Sequence, residues 1–174
     1  MRGLLHEHRG EWKPGQRVLE LGCATGRLLR WLKNEAQQGE FWGLDINANY
    51  IAWCQQHLSP PFHFAANTTF THLPFADAYF DLIYAGSVFT HISELTDAWF
   101  LELRRILKPG GQLYITVHDN HTIDSFQTKL KNEPLAQMLA AHKSKLDSLA
   151  AGFAMFTIRR SPRGAQVFYD LDYL

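Results

Sequence analysis

Apolar and polar positions follow two alternating periods along this chain. Short apolar runs closed by turn residues are succeeded by stretches with apolar residues three and four apart, as expected of strand–helix–strand units around a mostly parallel sheet. Residues 17–21 read as the first strand, followed by a glycine-rich turn and a helix over 27–38. Residues 41–44 form the second strand; Asn47 caps a helix reaching about His57, Pro60 and Pro61 stop it, and 62–65 form the third strand. The fourth strand is 80–84. Leu95, Trp99, Leu103 and Ile106 then keep helical spacing up to Lys108-Pro109-Gly110-Gly111, and 112–117 form the fifth strand. Beyond it, Asn132-Glu133-Pro134 opens one amphipathic helix to Gly152, its stripe made of Leu135, Met138, Leu139, His142, Leu146 and Leu149. Strands over 153–159 and 165–169, joined by a turn at 161–164, close the chain.

Composition narrows the function classes. A length of 174 residues suits a single domain over 1–174 without a second core. Lys+Arg and Asp+Glu balance at 17 each, so no charge footprint points to nucleic acid or to a membrane surface as a partner. Arg159, Arg160 and Arg163 read as a solvated turn rather than a binding patch. Cys23 and Cys54 are too few and too scattered for a disulfide framework, which makes a reducing, cytoplasmic setting the expectation. No run approaches the roughly 18 apolar residues of a membrane helix. Trp12, Trp31, Trp42, Trp53 and Trp99 are scattered at core-like positions and signal packing.

The segment richest in chemistry is Val18-Leu19-Glu20-Leu21-Gly22-Cys23-Ala24-Thr25-Gly26, a strand that runs into small residues ahead of a helix. Small residues let the backbone approach a ligand, and a helix start offers unsatisfied N–H groups, so a nucleotide-like ligand is implied. Asp45 ends the second strand 19 residues after Gly26, where a carboxylate can accept hydrogen bonds from both hydroxyls of a ribose. Its alternative role is helix capping. Glu20, two residues before Gly22, would repel a pyrophosphate but suits a ligand carrying an ammonium and a sulfonium.

On these blocks the chain resembles the class I S-adenosylmethionine-dependent methyltransferases over about residues 18–117. Glu20 to Gly26 is similar to the family's first motif, Gly43-Leu44-Asp45-Ile46 to its second, the block from Leu73 to Tyr84 to its fourth-strand motif, and Leu107-Lys108-Pro109-Gly110-Gly111 to the turn before strand five. The resemblance implies an α/β, Rossmann-like, doubly wound and mostly parallel sheet flanked by helices. The sheet would lack the family's last edge strands, because Asp170 to Leu174 read as the start of another helix in a truncated chain. It implies S-adenosylmethionine as cofactor, with Glu20, Gly22, Cys23, Ala24 and Gly26 along its methionine part and Asp45 on its ribose. Ile46 would flank the adenine, the alternative being a buried core residue, and Asn67 stands where the family's adenine-reading acid is expected. Ala24 replaces the middle glycine, a change that is tolerable if its φ stays negative.

The acceptor side falls in the loops after strands four and five, which carry Ser87, Thr90, His91, His118, Asp119 and His121. Gly86 to Ile92 resembles a stretch of small-molecule methyltransferases, and His91 is the candidate catalytic base, with a capping or packing histidine as the alternative. Two histidines and one aspartate over 118–121 make too small a set for a closed metal site, so no metal is expected. Residues 122–151 form either a helical lid or a helix packing on the sheet. The expected activity is methyl transfer to a small-molecule or saccharide acceptor. A nicotinamide-dependent oxidoreductase and a catalytically silent S-adenosylmethionine-binding or interaction module remain as alternatives.

Overall fold

Five strands pair in parallel in the order β3-β2-β1-β4-β5: β1 Arg17–Leu21, β2 Glu40–Asp45, β3 Phe62–Ala66, β4 Phe80–Ala85 and β5 Leu107–Ile115. The computed structural model describes residues 12–150, 154–161 and 164–174. β1 and β4 are central and buried on both faces, Val18, Leu19, Leu82 and Ile83 all being inaccessible, as near-continuous apolar strands of a covered parallel sheet must be. Strand order reverses between β1 and β4. A crevice at the carboxyl ends of the strands is therefore set by topology beside the turn after β1.

Between the strands lie a 3-10 turn at Leu29–Leu32 leading into α1 (Lys33–Ala36), α2 (Ala48–Leu58) and α3 (Thr96–Ile106). One helix over 27–38 was expected. Leu32, at φ −102° and ψ 25°, leaves helical geometry and splits it. The change of period from 3.6 to 3.0 residues per turn also explains why Trp31, expected inside, is 70% exposed. Trp53 is likewise partly exposed, stacked on His57 with the Arg30 guanidinium above it. Leu95 drops out of the α3 stripe, because it sits at φ +57° before the helix begins and faces solvent. β5 starts earlier than expected. Phe80 pairs with Leu107 but Leu82 with Gln112, so Lys108–Gly111 form an excursion within the strand rather than a turn before it.

The described residues divide into two compact units. Unit 1 runs to Gly86 and includes Asp97–Ile115; unit 2 comprises Ser87–Thr96 and Thr116–Leu174. Unit 1 packs Val18, Leu29, Phe41, Ile51, Cys54, Phe62 and Tyr84 into one core. In it Arg105 ties the 73–77 loop to α3, donating to Glu102 Oε1 at 2.6 Å, Asp77 Oδ1 at 2.7 Å and the carbonyls of Phe75 and Leu73. Unit 2 has its own core of Ile123, Leu139, Phe156, Ile158 and Phe168.

Unit 2 contains α4 (Asn120–Thr128), α5 (Pro134–Ala140), α6 (Lys143–Ala150) and an antiparallel hairpin of β6 (Met155–Ser161) and β7 (Gly164–Tyr169). The single helix expected from Asn132 to Gly152 is two helices. At the break the His142 ring nitrogen Nδ1 lies 2.9 Å from the Met138 carbonyl that a continuing helix would use, and the His142 N–H turns to Leu139 O instead. α4 was not foreseen. Asp119 caps it, accepting from the N–H and hydroxyl of Thr122 at 2.8 Å each. The Arg159 and Arg160 side chains, Pro162, Arg163 and residues 1–11 lie outside what the structure describes. Among the described residues no helix is long and apolar enough to cross a membrane.

Candidate functional site

The register of unit 1 brings the carboxyl ends of three strands together. Leu21 pairs with Leu44, and Asp45 with Ala66, so the turn after β1, the last residue of β2 and the residues after β3 share one edge. The turn leaves β1 with alternate residues in the left-handed region: Gly22 at φ +73°, Ala24 at +48° and Gly26 at +65°. Gly22 and Cys23 both donate their N–H to Leu44 O, at 2.8 and 2.9 Å. The condition set for Ala24 is not met. Its positive φ places an L side chain where only glycine is free of strain, at a cost of about 1 kcal/mol.

Asp45 is what holds Ala24 there. One carboxylate oxygen, Oδ2, accepts the Ala24 N–H at 2.8 Å, and the other, Oδ1, accepts the Asn47 N–H at 2.8 Å. The helix cap is Asn47 itself, which accepts from Asn49 and Tyr50 N–H. Asp45 thus has a different duty from capping: it fastens the turn to the end of β2. Each oxygen can accept more than one hydrogen bond, and Asp45 is only half-buried, so both keep acceptor capacity toward a ligand hydroxyl.

Glu20 is almost wholly buried, at 2% exposed, beneath the turn. Its Oε2 accepts the Leu29 N–H at 3.0 Å and the Tyr84 hydroxyl at 3.1 Å, which pins the start of the 3-10 turn to the sheet. Burial in this apolar setting, only partly offset by these hydrogen bonds and by Arg27, raises its pKa from 4.5 to about 8. Tyr84, fully buried against it, is pushed well above its ordinary value by the same desolvation. Cys23 and Cys54 are buried thiols whose Sγ atoms lie 3.6 and 3.5 Å from Ala24 O, and burial pushes both upward. The Cys23 backbone is engaged within the turn as well, its N–H on Leu44 O and its carbonyl accepting from Gly26 N–H at 2.8 Å.

Two further residues complete this edge. Ile46 is 64% exposed, which removes the core alternative and leaves a large apolar side chain on the surface directly after Asp45. Asn67 donates its N–H to Asp45 O at 3.1 Å and its side-chain Nδ2 to Thr68 O at 3.0 Å. Its Oδ1 is shielded from water and has no hydrogen-bond partner among the described residues. A ligand amino group would satisfy such an orphaned acceptor.

The second set of expected residues lies in unit 2. His91 is exposed, with Nδ1 2.8 Å from Ala165 O; Thr90 is buried; Ser87, at φ +60°, donates its N–H to Thr116 Oγ1 at 2.7 Å. His118 stacks on Phe168 and has Nε2 3.0 Å from Gln166 Oε1, and burial lowers its pKa. Asp119 is engaged in the α4 cap, its pKa lowered against the cost of burial by the donors of Thr122. Sequence reasoning missed the contribution of β7. A backbone carbonyl such as Ala165 O, 74 residues from the histidine it meets, leaves no trace in residue type or spacing.

A methyltransferase domain family model matches residues 19–115, more than half the chain. A fatty-acid O-methyltransferase of Mycolicibacterium smegmatis is 31% identical over 132 residues, covering 72% of this chain and 46% of that protein. A ubiquinone/menaquinone biosynthesis C-methyltransferase, UbiE, of Laribacter hongkongensis is 34% identical over 108 residues, covering 59% and 43%. The solved structure of the 4+2 cyclase SpnF is 29% identical with a TM-score of 0.53, over 65% of this chain and 42% of that one. The chain spans about half the length of the curated relatives it matches.

Proposed function

Because the chain belongs to the class I S-adenosylmethionine-dependent methyltransferases, we propose that it binds S-adenosylmethionine at the carboxyl ends of β1–β3 and transfers the methyl group to a small-molecule acceptor. The observation that carries this reading is the shared edge of turn, Asp45 and Asn67, with an acceptor oxygen on Asn67 that has no partner among the described residues. Gly22, Cys23, Ala24 and Gly26 offer close backbone approach to the methionine part. Asp45 accepts from the ribose hydroxyls, Ile46 covers one face of the adenine, and Asn67 Oδ1 accepts from its amino group. The cofactor supplies a methyl group on a cationic sulfonium centre; the residues of this chain orient, exclude water and move a proton. His91 is the group that takes that proton from an acceptor hydroxyl, amine or carbon acid.

Glu20 fits a cationic ligand in a particular way. A carboxyl raised to about 8 is mostly protonated at neutral pH, and an arriving positive charge favours its ionised form. Affinity for the cofactor should accordingly rise with pH up to about 8. The named relatives are a fatty-acid O-methyltransferase and a C-methyltransferase of ubiquinone/menaquinone biosynthesis, which makes lipid-like small molecules the first acceptors to try, with saccharides next. The similarity to a cyclase supports a second reading, in which the cofactor site is kept and the chemistry is not methyl transfer.

Calorimetric titration with S-adenosylhomocysteine and with NADH tests the cofactor. S-adenosylhomocysteine should bind and raise the melting temperature, and NADH should do neither. A larger stabilisation by NADH would overturn the assignment. A methyl-donor turnover screen over lipid-like and saccharide acceptors then separates transferase from silent binder.

A further inference from the structure

β7 grips the segment that carries His91 at every second residue. Ala165 O meets His91 Nδ1 at 2.8 Å, Val167 N–H donates to Thr90 O at 2.9 Å, and the Tyr169 hydroxyl lies 2.9 Å from Phe89 O and 3.1 Å from Ile92 O. Alternate residues of a strand present their backbone groups to the same side, so 165, 167 and 169 form one edge. The intervening residues meet the His118 side chain, Gln166 Oε1 at its Nε2 and the Phe168 ring stacked on it, while the Tyr169 N–H donates to the His118 carbonyl at 2.8 Å. Tyr169 is fully buried, and its single O–H proton is shared between the two carbonyls that bracket His91.

A carbonyl oxygen can only accept. Where it lies 2.8 Å from an imidazole nitrogen, that nitrogen carries the hydrogen, and in a neutral ring the other nitrogen is then a bare acceptor. We infer that β7 sets the tautomer of His91: the Ala165 carbonyl holds hydrogen on Nδ1 and keeps Nε2 free to receive a proton, and Tyr169 is the positioning residue that fixes the segment for this contact. The inference rests on the reading of His91 as the base, and it adds the device that makes one ring nitrogen the reactive one. Nothing in it requires the identity of the acceptor.

The test uses the full chain labelled with nitrogen-15 on its imidazoles. Two-bond nitrogen–proton correlations distinguish the two neutral tautomers, and the His91 signals are assigned by their loss in His91→Ala. The expected result is an Nδ1–H tautomer at His91 in the parent protein, the form that free histidine disfavours. A parent spectrum with hydrogen on Nε2 overturns the inference. In Tyr169→Phe, which removes one oxygen and keeps the ring, the Nδ1–H population should fall several-fold toward the mixture of free histidine, with S-adenosylhomocysteine affinity unchanged. An unaltered tautomer in that variant, or a variant that does not fold, removes Tyr169 as a local positioning residue. If the parent shows Nδ1–H but His91→Ala turns over at the parental rate, the base reading fails while the tautomer device stands.

Discussion

The two units hold their candidate residues by opposite means. In unit 1 the turn, Asp45 and Asn67 are positioned by the register of neighbouring parallel strands, and the bonds between them join residues at most 22 apart, as from Asp45 to Asn67. In unit 2, His91 and its segment are held by a strand 74 or more residues downstream, through the Ala165 carbonyl, the Val167 N–H and the Tyr169 hydroxyl. Short-range geometry of the first kind must be written in residue types, because glycine, small residues and a carboxylate are needed at fixed spacing. Geometry of the second kind needs a passing strand and one hydroxyl on it, at no fixed spacing from the histidine. The contrast separates a site that a motif can announce from one that folding alone assembles.

The largest expected effect is at His91. His91→Ala should lower turnover on any acceptor found in the screen by roughly 10²–10⁴-fold and leave S-adenosylhomocysteine affinity nearly unchanged, since the proton moves only on the way to the transition state. A change confined to melting temperature would reduce His91 to a packing residue. That outcome would collapse the contrast, leaving unit 2 without an identified reactive group.

The buried carboxyl of unit 1 comes next. Glu20 has a folded pKa of about 8 against an unfolded value near 4.5, so between these values the folded state binds one proton more than the unfolded state. Stability from this group is complete below pH 4.5 and is lost as pH rises to about 8, at a slope of about 1.4 kcal/mol per pH unit. Glu20→Gln can still accept from Leu29 and Tyr84 but cannot titrate. Denaturant unfolding of parent and variant from pH 5 to 9 should show the difference opening in favour of Gln with rising pH. A pH-independent difference would mean that Glu20 is charged throughout.

Asp45→Ala should weaken S-adenosylhomocysteine binding by about 1–3 kcal/mol, since the ribose hydroxyls lose a charged acceptor. It should also lower the melting temperature, because the Ala24 and Asn47 N–H groups lose their partner. Calorimetry and thermal unfolding on one preparation read both. Parental affinity in the variant would leave Asp45 with the turn alone.

Much of unit 1 was legible, for physical reasons that individual residues make plain. Apolar runs fully buried on both faces, such as 82–84, are those of strands inside a covered parallel sheet. The Asn47 cap was legible because the side chain itself makes the bonds. What escaped the sequence was set by competition between nearly equal local options. His142 takes the carbonyl that its helix needed, and Leu32 breaks the helix after the turn although its residues favour continuation. The α4 cap at Asp119 is visible in principle as Asp-x-x-Thr, but the histidines on either side of it are the stronger signal in the same four residues. The role of β7 could not be read, because a backbone carbonyl or N–H carries no residue signature and the Tyr169 hydroxyl lies 80 residues from the Phe89 carbonyl it meets.

The smallest expected effect concerns Ala24, where sequence and geometry disagree most plainly. The family's glycine would be at ease at φ +48°, whereas alanine there brings its Cβ close to its own carbonyl oxygen. Ala24→Gly removes that strain but also adds conformational freedom to the unfolded chain, which opposes the gain. Relief at a left-handed position normally outweighs the added freedom, so the substitution should stabilise unit 1 by about 0.5–1 kcal/mol. The Asp45 bond to the backbone N–H of residue 24 is unaffected by loss of the methyl group. S-adenosylhomocysteine affinity should therefore rise slightly or hold, while melting temperature rises. If Ala24→Gly instead lowers both, the methyl group is packing against something the turn needs, and the turn is held by side-chain contact as well as by the Asp45 carboxylate.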